Sequence, residues 1–329
     1  TRAKQQIYLS YCRLNDSQRE QSASRFITEI NPQRIEKISV NPEFEAESLQ
    51  FSFSPRLPRL KSKNLTIYLQ NQLSYHYRFN ITHLNSYLKC PLCFFFKTIL
   101  RLPYPKAKAM SFGTAVHGAL AYLTQVYKSQ NKLISQEKFV DVFENNLKRE
   151  NLSENDFNSL LDHGREILSG YYQNYRDSFN GRCLTEHDFK FNNVYLDEIP
   201  ITGKIDKIEF LSGKQVNVVD YKTGKPDYKY QQLSPEGDYF RQLVFYKLLC
   251  DEAKTFPYKV VSGTIDFIEA NKKNQYIRKN YKITSEDTAK LKSQIVEVFN
   301  KIKSLDFTPS PKCEDKDHLH ILFGKYFKS

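Results

Sequence analysis

Asp206, Asp220 and Lys222 could do chemistry together. They sit on two neighbouring runs of strand character, residues 199–210 and 215–222, with Ser212-Gly213-Lys214 as the turn between them. A turn centred on Gly213 sets Phe210 against Val216 and Ile208 against Val218. It then sets Asp206 against Asp220 and Lys204 against Lys222. Side chains alternate along a strand, so all eight share one face. Two carboxylates directly opposite each other repel, and the arrangement needs a cation between them. A divalent metal serves, and Lys222 reaches the same space. Mg²⁺ or Mn²⁺ suits oxygen ligands. Such an ion polarises a phosphate and activates water, while a lysine stabilises developing negative charge. The chemistry in view is metal-assisted phosphodiester hydrolysis. A bare Asp-x-Lys on a solvated hairpin is the competing reading.

The surrounding elements must hold these groups in place. From Ile81 onward the pattern runs helical, then strand-like, then helical. Val116, Leu120, Leu123 and Tyr127 form a helical stripe. Two further helical stretches span about 135–148 and 153–175, and strand-like runs fall near 188–195, 199–210 and 215–222. A helix near 239–250 and a strand near 259–268 follow. The last helix is capped by Thr284 or Ser285 with Asp287 close behind, and carries Leu291, Ile295, Val298 and Ile302 as its apolar stripe. Residues 31–80, with Pro32, Pro42, Pro55 and Pro58, read as a connector with short edge-strand runs such as 65–69.

The chain has 329 residues, a formal net charge of +12 and 14% aromatic residues. That aromatic content excludes a disordered tail, and no apolar run is long enough to span a membrane. The opening Thr-Arg-Ala-Lys has no signal-peptide character, which predicts a cytoplasmic protein. The charge is concentrated. Between Glu47 and Glu137 lie 89 residues without a carboxylate side chain and with twelve cations, among them Arg56, Arg59, Lys61 and Lys63. Tyr68, Tyr75, Tyr77, Phe79 and Tyr87 are interleaved with them. Cations that take phosphates and rings that stack on bases suit single-stranded nucleic acid.

Four segments carry a family resemblance. Val218-Val219-Asp220-Tyr221-Lys222-Thr223-Gly224-Lys225 resembles the signature of the RecB/AddB-like branch of PD-(D/E)XK nucleases. Gly203-Lys204-Ile205-Asp206-Lys207-Ile208 is similar to the motif before it, with Lys207 where the branch usually has arginine. Phe112 to Leu120 resembles its first helix, and Gln242-Leu243-Val244-Phe245-Tyr246 its Q-x-x-x-Y motif. The resemblance implies an α/β, restriction-endonuclease-like core: a mixed central sheet flanked by helices. It implies that His117, Asp206, Asp220 and the backbone carbonyl of Tyr221 hold Mg²⁺ or Mn²⁺, and that Lys222 is the catalytic lysine. It also implies that Gln242 and Tyr246 contact DNA or brace the site. Glu186 resembles a family glutamate and is expected no closer than a supporting position. The expected activity is a DNase, and the rival is a nuclease-like DNA-binding module without turnover.

The opening Thr1-Arg2-Ala3 with its apolar strand, followed by Ser24-Arg25-Phe26, resembles the last motif of UvrD-like superfamily 1 helicases. With Met110 as the only methionine, the chain reads as the C-terminal piece of a helicase–nuclease. Residues 1–30 would be a motor remnant, 31–80 a basic connector and 81–329 the nuclease domain. Double-strand-break repair and a second helicase–nuclease subunit as partner follow from that resemblance. No P-loop is present, so no ATP site is expected in this fragment. Some AddB-like nucleases pin their ends with a four-cysteine [4Fe–4S] cluster. Here Cys90 and Cys313 alone fall at family-like positions. Cys93, His318 and His320 lie near them in sequence, an intact cluster is not expected, and the six cysteines read as ordinary thiols.

Overall fold

A computed structural model describes residues 29–36, 77–102 and 106–310, with 27, 67, 69–71, 73 and 313 besides. The helicase-like opening with Arg2, the cations Arg56, Arg59, Lys61 and Lys63, and Cys12, His318 and His320 lie outside the described residues.

Five strands form the central sheet: β1 Cys183–Asp188, β4 Lys204–Phe210, β5 Gln215–Lys222, β6 Lys259–Phe267 and β7 Arg278–Lys282. They lie in the order β1-β4-β5-β6-β7, and β5–β6 is the single parallel pair. A parallel pair needs a crossover. Helix α6, Asp238–Glu252, supplies it and is buried over nearly all its inner length. The hairpin of β2, Val194–Leu196, and β3, Ile199–Ile201, forms a separate two-stranded sheet. The expected strand 199–210 is thus two strands, broken at Thr202-Gly203. The expected strand near 188–195 is instead the last residue of β1, a turn and the start of β2, and β7 was not anticipated from sequence.

Helices cover both faces, as a sheet buried on both sides requires. On one face α6 packs with α1, Ile81–Lys89, α2, Pro91–Phe94, and α7, Ser285–Lys303, over Val216, Val218, Ile265 and Phe267. On the other, α3, Lys108–Gln130, α4, Gln136–Leu147, and α5, Glu154–Tyr175, pack over Val219 and Tyr221. Alternation along β5 therefore sends its even-numbered side chains toward α6 and its odd-numbered ones toward α3. Helix starts are fixed locally: the side chains of Asn80, Ser135 and Ser153 each accept from a backbone N–H of the first turn. Thr284 and Asp287 form a reciprocal capping box at α7. This is the α/β architecture with a mixed sheet flanked by helices that a restriction-endonuclease-like core has.

Candidate active site

The expected hairpin forms in the expected register near its turn: Phe210 pairs with Val216 and Ile208 with Val218. The ladder then stops at Lys207 and Val219. Beyond it β4 stays paired with β1, and β5 with β6. Asp206 and Asp220 are therefore not a ladder pair, and Lys204 does not face Lys222. The reason is visible in one hydrogen bond. Asp206 Oδ2 accepts from the Tyr221 backbone N–H at 2.9 Å, a donor that a continued ladder would have given to a carbonyl.

Parting the strands opens room for groups from three other elements. His117 on α3 places Nδ1 3.2 Å from Asp206 Oδ1. Gly118 lets α3 approach α4 there, since a Cβ on it would stand 2.8 Å from Asn146 Nδ2. Glu186 on β1 is flanked by the pairs Thr185–Lys207 and His187–Ile205, which set it opposite Asp206. Its left-handed backbone, φ 51°, keeps it out of the ladder itself. Donor atoms of His117, Glu186 and Asp206 lie within 4.8 Å of one another. Lys204 forms its ion pair with Glu186.

On the α6 side, Asp220 is 2% exposed. Its Oδ1 accepts from the Tyr246 hydroxyl at 3.0 Å, and its Oδ2 lies 2.7 Å from Lys222 Nζ. Lys222 donates to Gln242 Oε1 at 2.8 Å, and Gln242 Nε2 reaches the Tyr246 oxygen at 2.7 Å. Gln242 and Tyr246 are one helical turn apart, so one face of α6 serves both. Tyr239, one turn earlier, lies under the Lys222 ammonium at 4.5 Å. Sequence reasoning missed Tyr239, although its place three residues before Gln242 on the same face was a usable signal. Lys207, the departure from arginine, is buried and ion-paired with Glu209 at 3.0 Å.

The electrostatics separate the two aspartates. Burial alone would raise Asp206, but the hydrogen bond and charge of His117 and the Tyr221 N–H hold it below the usual carboxylate range. Burial, helped by the charge of Asp206, raises Asp220 despite Lys222. Burial works against the charge on Lys222, yet Asp220 holds its pKa above the ordinary lysine value. His117 is likewise raised, because Asp206 outweighs burial. An imidazole nitrogen and two carboxylates converging from α3, β1 and β4 form a donor set that suits a hard divalent cation; Asp220 on β5 lies outside that cluster, on Lys222 and Tyr246. Lys204 and Lys222 take up part of that charge.

The cysteines are less scattered than separate thiols would be. Cys90, Cys93 and Cys313 bring their sulfurs within 4.8 Å of one another, with Cys93 and Cys313 at 3.5 Å. Cys183 and Cys250 are buried elsewhere. No described helix is long and apolar enough to cross a membrane.

Among curated proteins none matches the chain. Two solved structures are similar to it. One is a candidate exonuclease from Eubacterium rectale, 11% identical, covering 78% of this chain and 93% of its own, with a TM-score of 0.42. The other is SSO0001, 13% identical, covering 79% and 95%, with a TM-score of 0.31. The description of the PD-(D/E)XK nuclease superfamily matches residues 78–315, which include every side chain of the site above, and the chain belongs to that superfamily.

Proposed function

We propose that this chain is a divalent-metal-dependent deoxyribonuclease in which His117, Asp206 and Asp220 hold the cation, with Glu186 at the same centre and the Tyr221 carbonyl as a further ligand. The observation that carries the reading is the parting of β4 from β5, which gathers His117, Glu186 and Asp206 beside the buried Asp220–Lys222 pair at one end of the sheet. A bound Mg²⁺ or Mn²⁺ would neutralise phosphate charge and lower the pKa of a water. The protein's part is orientation. Lys222 is held by Asp220, Gln242 and the Tyr239 ring, so its ammonium is fixed before substrate arrives. Its raised pKa keeps it protonated, which suits it to stabilise charge on the phosphate rather than to accept a proton. Asp206, kept ionised by His117 and the Tyr221 N–H, is the permanent anion of the centre.

The finer reading is of an exonuclease acting on single strands, cytoplasmic, and fused to a helicase motor in double-strand-break repair. Residues 1–30 would then be a motor remnant, 31–80 a basic connector and 81–329 the nuclease. The helicase-like opening and the acid-free basic segment support it, with the remaining motor and a second subunit as partners. Labelled single- and double-stranded DNA, incubated with Mg²⁺, Mn²⁺ or a chelator, tests the activity. Degradation that needs the metal and vanishes in Asp220→Ala is expected. Tight DNA binding without degradation in any metal would favour the non-cleaving module instead.

A further inference from the structure

A groove of about 670 Å³ opens between the segment preceding α1, the turn that follows α2, and the start of β4. Among the described residues five cations line it, Arg78, Lys97, Arg101, Lys190 and Lys204, with Asp188 as the one carboxylate. They come from distant parts of the sequence, so the fold gathers them against their mutual repulsion. Such a gathering is favourable when an anion sits among them. Three of them, Arg78, Lys97 and Arg101, belong to the acid-free segment.

Two details mark the groove as more than a solvated face. Arg78 is anchored through Nη2, which donates to Asn193 Oδ1 at 3.1 Å, while its buried Nη1 has no hydrogen-bond partner among the described residues. The buried Tyr77 hydroxyl beside it also has none. Buried polar atoms are ordinarily satisfied, so these two mark the floor of the groove as polar rather than packed core, while Lys97, Arg101, Lys190 and Lys204 are exposed along it. Arg101 adopts a left-handed backbone, φ 51°, a conformation a non-glycine residue keeps where its surroundings over-determine it.

The groove also leads somewhere. Thr202, Gly203 and Lys204 form its wall, and Lys204 lies two residues before Asp206 on the same face of β4. Lys204 is paired with Glu186 of the candidate centre. Tyr77 and His83, their rings stacked at 5.3 Å, also line it, and rings set among cations suit the unpaired bases of a single strand. We propose that this groove binds the sugar-phosphate backbone of a single nucleic-acid strand, with the exposed Arg101 and Lys190 on phosphates, and delivers it past Lys204 to the metal centre. The last clause rests on the nuclease reading; the binding site does not.

The test compares Arg101→Ala/Lys190→Ala with Lys214→Ala/Lys259→Ala. The second pair removes the same charge at the far end of the sheet, beside the β4–β5 turn. Anisotropy of a fluorescein-labelled oligothymidylate in EDTA gives affinity against salt. Each phosphate contact on a single strand contributes about 0.7 to the log–log salt slope. The groove variant should therefore bind at least about tenfold more weakly and lose about 1.4 from that slope. Unlabelled single strand should compete better than duplex. In Mn²⁺, its KM for cleavage should rise while kcat at saturation stays within about twofold. Equal affinity and slope in the two double variants would overturn the groove assignment. A wild-type protein that binds through these residues but cleaves nothing would overturn the nuclease reading and leave the groove standing.

Discussion

At the scale of single residues, the account turns on what a few buried polar atoms are bonded to. Tyr246 joins α6 to Asp220 through one hydroxyl that donates to the carboxylate and lies at hydrogen-bonding distance from Gln242. Tyr246→Phe should leave that carboxylate oxygen unsatisfied in the core and lower unfolding stability by about 1–3 kcal/mol. A urea melt reads this, and an unchanged midpoint would mean the hydroxyl is not part of the support. Asp266 offers a pH test away from the lysine. It is buried on β6, bonded by the Tyr171 hydroxyl and by Arg278, and burial pushes its pKa up to about 6. Its folded pKa lies above the unfolded value of about 3.9, so the folded state binds more protons between those pH values. Stability owed to Asp266 should thus fall as pH rises from about 4 to about 6, by up to about 3 kcal/mol. Asp266→Asn removes this term. Its stability relative to wild type should rise over that window, and a parallel pair of pH–stability curves would contradict the assignment. At this scale spacing alone set Asp206, Asp220 and Lys222 on one hairpin face. Gln242 and Tyr246 became nameable only through the family resemblance. Tyr239 and the closeness of Glu186 were less so, because both depend on how α6 and β1 dock.

At the scale of elements, position is set by close approach. Hairpin register was readable because the turn at Gly213 and alternation of Ile208, Val216 and Val218 leave one good solution. Where the ladder ends was not readable. That depends on Asp206 taking the Tyr221 N–H, a tertiary choice no local pattern encodes. The break at Thr202-Gly203 was hidden for the same reason: β3 pairs with β2 and bridges to Phe79, neither of which is near in pattern. Helix limits were recovered to within a few residues, since Ser135, Ser153 and Thr284 are caps with sequence signatures. The α4–α5 contact that backs α3 is tighter still. A Cβ at Gly164 would stand 2.2 Å from the ring of Phe143, which is fully buried. Gly164→Ala should therefore overpack that layer, costing about 1–3 kcal/mol despite the better helix propensity of alanine. Thermal unfolding checks it, and a gain in stability would show that the layer can give way.

At the scale of the whole molecule, two cores lie on opposite faces of one sheet, and the site forms at the end where β4 and β5 part. The carboxylates there are partly neutralised by Lys204 and Lys222, so a divalent ion should add stability by binding the folded state alone. Mn²⁺ at about 100 times its Kd should contribute about 2.7 kcal/mol, read as a rise in Tm, and the rise should disappear in Asp206→Ala. A rise of the same size in that variant would place the ion elsewhere. The net charge of +12 acquires a location as well, since part of the acid-free segment lines the groove that ends at Lys204. The central claim is that Lys222, held by Asp220 and Gln242, acts with a divalent cation to cleave phosphodiesters. Its most direct test is the Mn²⁺-dependent degradation of end-labelled single-stranded DNA by wild type and Lys222→Ala at matched concentration. The account predicts a loss in kcat of about 10²–10³-fold with oligonucleotide affinity in EDTA kept within a few-fold. Cleavage by Lys222→Ala at the wild-type rate would contradict it.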